Sequence, residues 1–125
     1  MRRVFITRQF SRWFSKSDLS IEALCRAVEE MERGLIDATL GGGIIKKRVA
    51  LPRRGKRGST RVLIATNHLD RWFFVFGFEK SDRDNINAKE LTALKALASD
   101  LLRLGVSELS AAVAAKTLQE ICHEN

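Results

Sequence analysis

Between Ile44 and Ala65 the chain carries eight lysines and arginines and no aspartate or glutamate. They are Lys46, Lys47, Arg48, Arg53, Arg54, Lys56, Arg57 and Arg61. Like charges crowded this way repel one another and weaken a compact state, so the window points to a polyanionic partner that supplies the countercharge. On a sheet surface such a cluster suits RNA in two ways. It neutralises phosphates, which gives salt-dependent binding. It can also cleave the strand without a metal. The ribose 2′-OH must lose a proton and attack the adjacent phosphorus, the phosphorane charge must be held, and the leaving 5′-oxygen must be protonated. Arginine holds charge but is too basic to take a proton. A lysine among other cations has its pKa pushed down and exchanges protons nearer neutral pH. On this logic Arg48 and Arg61 are phosphate clamps, and Lys46, Lys56 and Lys80 are the candidates for proton transfer. Lys47, Arg53, Arg54 and Arg57 contact the RNA backbone. The plainer reading is that all of these residues only bind.

Other catalytic kits are missing from the chain. Cys122 and His123 are adjacent, which is not a zinc spacing, so no metal or cofactor is expected. With two histidines and no paired acids in the basic window, a Ser-His-Asp arrangement is disfavoured. The run Leu40–Ile44, "LGGGI", lacks the Lys-Ser/Thr and the helix of a phosphate loop, and reads as a flexible turn entering a strand.

The totals bound the rest. A chain of 125 residues is one domain by default, here 1–125, and long enough for a core without staples. The formal net charge is +7, and the basic window accounts for it: the remainder has 14 basic against 15 acidic residues. The longest apolar run, Trp72–Phe78, is too short to span a bilayer, and the start "MRRVFITRQF" is too short in apolar residues for a signal peptide. Two cysteines, Cys25 and Cys122, make no disulfide framework, so a reducing cytoplasm is expected and Cys25 is read as a small core residue.

Elements must position the cluster. Val4–Thr7 reads as a short edge strand, and Phe10, Trp13 and Phe14 as one face of a short helix. Ser20 or Asp18 caps a second helix, whose inner face is Ile21, Leu24, Cys25, Val28, Met31 and Leu35, with Gly34 as its stop. Ile44–Leu51, Arg61–Thr66 and Trp72–Phe78 read as strands of an antiparallel meander. Alternation sends Lys46 and Arg48 to one face and Lys47 to the other. Trp72–Phe78 is apolar throughout, hence central and covered on both sides. Asn87 and Glu90 form a capping box before a helix carrying Leu91, Leu94, Ala98 and Leu101. A last helix starts at Ser107 and aligns Ala111, Ala114, Ala115, Leu118, Ile121 and Cys122, making 106–125 a C-terminal helical extension. The expected class is α+β: a curved antiparallel sheet of about four strands, packed by N-terminal helices and followed by C-terminal ones.

The stretch "LGGGIIKKRVALPRRGKRGSTRVLIATNHLDRWFFVFGFEKSDRDNINAKE" resembles the RelE-like toxins of bacterial toxin–antitoxin systems. The glycine run, the Lys-Lys-Arg, the Gly-Lys-x-Gly turn, the strand-opening Arg and the Gly-Phe-x-Lys occur in the family's order, closest to the HigB-type branch. The resemblance implies a compact α+β fold and endoribonuclease activity on mRNA, usually in the ribosomal A site. Cleavage would leave a 2′,3′-cyclic phosphate and a 5′-OH. It implies a neutralising antitoxin encoded next to the toxin, often with a helix-turn-helix domain, through which the complex reaches operator DNA. By motif it carries function onto Lys46, Lys47, Arg48, Lys56, Arg61 and Lys80. Ile45 and Thr60 stand where many relatives have Tyr, and no C-terminal Tyr or His matches those that some members use, so lysine must carry more of the proton transfer or the ribosome must help. Two alternatives remain open on sequence: a gyrase-inhibiting, ParE-like toxin of the same fold, and a catalytically degenerate protein that binds RNA or antitoxin.

Overall fold

The computed structural model describes residues 2–51 and 59–123. In chain order the elements are β1 (Arg3–Thr7), α1 (Arg8–Ser15), α2 (Ile21–Glu32), β2 (Ala38–Gly41) and β3 (Ile44–Ala50), then β4 (Ser59–Thr66), β5 (Arg71–Glu79), α3 (Ala88–Leu102), α4 (Val106–Ala114) and β6 (Leu118–Ile121). The six strands form one mixed sheet in the order β2-β3-β4-β5-β1-β6.

Local chemistry sets the helix starts. The Thr7 side chain accepts the Phe10 N–H and the Ser20 side chain accepts that of Ala23, each satisfying a donor that the first turn leaves open. Asn87 and Glu90 form the reciprocal capping box anticipated for α3. Gly34, at φ +89°, ends the turn after α2 in a conformation that costs a Cβ-bearing residue energy.

The sheet is covered on both faces. Ile45, Val62, Ile64, Trp72, Phe74, Val4 and Ile6 point to α1 and α2, where they meet Phe10, Leu24, Val28 and Met31. Ile44, Leu63, Ala65, Phe73, Val75 and Phe5 point the other way and meet Leu94, Ala98 and Leu101 of α3 and Leu109 of α4. Each fully buried aliphatic or aromatic side chain of this kind contributes about 1.5–3 kcal/mol, so the two layers, not helix propensity, hold the elements in place. A bulge in β5 between Phe74 and Phe76 keeps Val75, Phe76 and Phe78 toward α3. Gly77, between them, faces α1: a Cβ there would lie 2.4 Å from the Trp13 ring. Trp13 thus locks α1 onto the back of the strand that carries Phe76 and Phe78.

The meander and the central, doubly covered strand stand as expected, since β3, β4 and β5 pair antiparallel in that order. Four expectations are corrected. First, β1 is not an edge: it lies between β5, to which it is parallel, and β6. Second, the sheet has six strands, not about four, and is mixed. Third, "LGGGI" is not a turn alone. Leu40 and Gly41 end β2, and Gly42 and Gly43, at φ +61° and +82°, make the two-residue connection that hairpin twist favours. Fourth, the last helix stops at Ala114; Lys116 turns at φ +63° and Leu118–Ile121 is a strand. In a helix Leu118 and Ile121 would share a side. In β6 Leu118 packs toward α3 and α4 and Ile121 toward α1 and α2.

That strand also overturns the reading of the cysteines. Its pairing with β1 sets Cys122 beside α2, and Cys25 and Cys122 form a disulfide with their Cα atoms 5.5 Å apart. The inference of a reducing compartment from unpaired thiols therefore loses its premise. Among the described residues no helix is long and apolar enough to cross a membrane.

Candidate RNA-facing site

Register decides which basic residues meet. Arg48 pairs with Arg61, and Arg61 with Phe78, so the three lie directly across neighbouring strands and share the α3-side face. One row along, Lys46 pairs with Leu63 and Leu63 with Phe76. Beyond the other end, the Lys80 N–H donates to the Ser59 carbonyl at 3.4 Å, extending the ladder past β5. The face therefore carries Lys46, Arg48 and Arg61 beside two phenylalanines, with exposed Lys80 just past the end of β5.

These cations differ in freedom. Arg48 and Lys80 are exposed and Lys46 is half-buried, and among the described residues no ion pair engages any of the three. Arg61 is 9% exposed; its Nη1 donates to Ser59 Oγ at 2.9 Å and its Nε lies 3.9 Å from Asp37 Oδ2. It is thus a fixed positive charge beneath Arg48, not a mobile arm. Lys47 is turned away. It is buried toward α2, with Nζ 2.8 Å from Glu30 Oε1. That ion pair, first through its hydrogen bond, holds the Glu30 carboxyl below the ordinary carboxylate range. The structure does not bring Lys47 to the face with the others, because alternation along β3 forbids it. Arg53, Arg54, Lys56 and Arg57 lie outside the described residues.

Residues missed on sequence complete the face. Arg83 holds its guanidinium 5.8 Å from the Phe76 ring centre and 5.7 Å from that of Phe78. It is fixed there by a bidentate pair with Glu90, whose Oε2 accepts from Nη1 at 3.0 Å. The Arg83 hydrogen bonds, followed by the N-cap N–H of Asn87, keep Glu90 ionised to lower pH than an ordinary glutamate. The α3 capping box therefore also orients an arginine over two aromatic rings. The alternation Phe76, Phe78, Lys80 was visible in "VFGFEK". Nothing local marked Arg83, since its partner is set by the start of the following helix.

A cavity of about 520 Å³ lies elsewhere, along β6, lined by Ile6, Arg8, Val113, Lys116 and Leu118. Among the described residues no group of three or more His, Cys, Asp or Glu side chains is placed to hold a metal.

Taken together, these features define a small α+β protein with a basic, aromatic-bearing sheet face. The sequence profile of the RelE toxin of RelE/RelB toxin–antitoxin systems matches residues 2–121. The chain belongs to that toxin family, and membership implies a cognate antitoxin of the RelB type. No curated protein matches the chain.

Proposed function

We propose that this toxin is an endoribonuclease that cuts mRNA on the ribosome. The observation that carries the reading is the set Lys46, Arg48 and Lys80, in no ion pair among the described residues: Lys46 and Arg48 share the face of Arg61, Phe76 and Phe78, and Lys80 follows the end of β5. Phe76, half-buried beneath Arg83, offers a ring for a base, in place of the tyrosines that many relatives carry. Arg48 neutralises the scissile phosphate, and the buried Arg61 adds fixed positive potential behind it as charge builds on the phosphorane. One lysine takes the 2′-OH proton as that oxygen bonds to phosphorus. A second gives a proton to the 5′-oxygen as its bond to phosphorus breaks. Lys46, Lys80 and Lys56 are the candidates, and the products are a 2′,3′-cyclic phosphate and a 5′-OH end. Side chains alone supply this chemistry, so no step of it draws on a metal ion.

The same face accounts for neutralisation. An antitoxin segment rich in Asp, Glu and apolar residues, laid over it, would cancel the charge and exclude RNA. A helix-turn-helix domain on that partner would carry the complex to operator DNA.

Inducing the chain alone tests the proposal. Growth and translation should stop, with cuts inside translated codons, and Arg48→Ala and Lys80→Ala should each relieve the arrest while circular dichroism stays unchanged. Arrest with intact mRNA removes the reading. A DNA-damage reporter that responds before translation falls would favour the gyrase-inhibiting alternative instead.

A further inference from the structure

A second cationic surface lies on α1. Arg8, Arg12 and Lys16 recur at every fourth residue, so they stack along one side of the helix, over about 12 Å at 1.5 Å per residue. All three are exposed, opposite the side where Phe10, Trp13 and Phe14 pack. Like charges four apart destabilise a helix, and a cation in its first turn opposes the helix dipole. This short helix has no acidic residue in its first turn to offset Arg8, and only Arg12, in its last turn, sits where the dipole favours a cation. Arg8 reaches across to the carbonyls of Lys116 and Ala115, at 3.4 and 3.5 Å, and so joins exposed Lys116 to the stripe. Among the described residues no carboxylate pairs with Arg12, Lys16 or Lys116. Trp13 seats α1 against Gly77 on the back of β5, so the stripe lies on the opposite side of the sheet from the candidate site.

We propose that the α1 stripe is a second RNA-backbone contact, engaging phosphates outside the cleavage site. The inference rests on the RNA reading above. A run of cations spaced along one helix face fits a repeating phosphate chain and reads no bases; only its Arg8–Lys116 end borders the cavity along β6, while Lys16 extends past it. The stripe therefore adds affinity and salt dependence without adding sequence preference, and leaves the chemistry at the sheet face untouched.

The test is a salt titration of the purified full chain on a labelled single-stranded RNA oligonucleotide, with Arg12→Gln/Lys16→Gln beside the wild type and Arg48→Gln. The double variant should lower the slope of log K against log salt by about one to one and a half, since each phosphate that is no longer neutralised removes about 0.7. The charge-conserving swap Arg12→Lys/Lys16→Arg should keep the wild-type slope. An unchanged slope in the double variant, with a reduced one in Arg48→Gln, overturns the stripe and leaves the sheet-face reading standing. A wild type that binds no RNA overturns the stripe, while the sheet-face reading stands or falls on the cuts mapped after induction. Loss of antitoxin binding in the double variant with RNA binding intact would assign the stripe to a protein partner and overturn the proposal.

Discussion

Lys46, Lys47 and Arg48 are consecutive, yet the sheet puts them in two different worlds. Lys47 is buried toward α2 and meets Glu30 at 2.8 Å. Lys46 and Arg48 face α3 with no carboxylate partner among the described residues. On one side Lys47 closes the fold; on the other, Lys46 and Arg48 form no ion pair among the described residues. The difference follows from the two-residue period of a strand and from which helix lies above each face. It teaches that a basic run is not one feature: its function is decided residue by residue, by the layer each side chain meets.

That contrast can be broken or sharpened experimentally. The largest effect should come from Arg48→Ala, on activity alone. It removes the exposed cation proposed to hold the scissile phosphate, so RNA cleavage should fall about 100- to 1000-fold, as for other charge stabilisers that have been removed, while the melting temperature stays nearly unchanged. Arg61→Ala should lower both, because its guanidinium is buried and bonded to Ser59. An effect of Arg61→Ala confined to activity would show that its burial contributes little to the fold. Next in size is the Cys25–Cys122 link, which closes a separation of 97 residues. Reduction, or Cys25→Ser, should cost about 2–4 kcal/mol in denaturant titration. Lys47→Met comes third. It leaves Glu30 unpaired at a partly exposed position, where water offsets much of the loss, so stability should drop by about 1–2 kcal/mol with cleavage intact.

How much of this was readable beforehand depends on where the determining partner sits in the chain. The split between Lys46 and Arg48 on one face and Lys47 on the other needed only alternation along a single strand. The capping box of Asn87 and Glu90 needed one helical turn. By contrast, the second job of Glu90, holding Arg83 over Phe76 and Phe78, needs a turn and a helix start to meet the end of β5. The sequence "TLQEIC" has spacing that fits a helix face as well as a short strand. It becomes β6 because β1, at the opposite end of the chain, offers an unpaired edge, and no local pattern carries information over that distance. The disulfide was hidden for the same reason. Ala38–Gly41 is too short to announce β2, which forms because the hairpin at Gly42 and Gly43 folds it onto β3.

The smallest effect concerns pH. Arg3 grips Glu120 of β6 with two hydrogen bonds, 2.9 and 2.8 Å long, and this keeps the Glu120 carboxyl below its ordinary range. A depressed carboxylate stabilises the fold above its unfolded pKa and loses that contribution as pH falls through the folded value. The melting temperature should therefore decline below about pH 4, and the decline should be shallower in Glu120→Gln. An identical decline would place the acid sensitivity elsewhere, with the Arg83–Glu90 pair as the next group to change.

The central claim, that the α3-side face cuts RNA and the α2-side lysine does not, is tested most directly by mapping 5′-OH ends of cellular mRNA after induction. Wild type and Lys47→Met should give the same new ends inside translated codons, and Arg48→Ala/Lys80→Ala should give none. Cuts that persist unchanged in Arg48→Ala/Lys80→Ala, or mRNA that stays whole in wild-type cells whose growth has stopped, would contradict that claim.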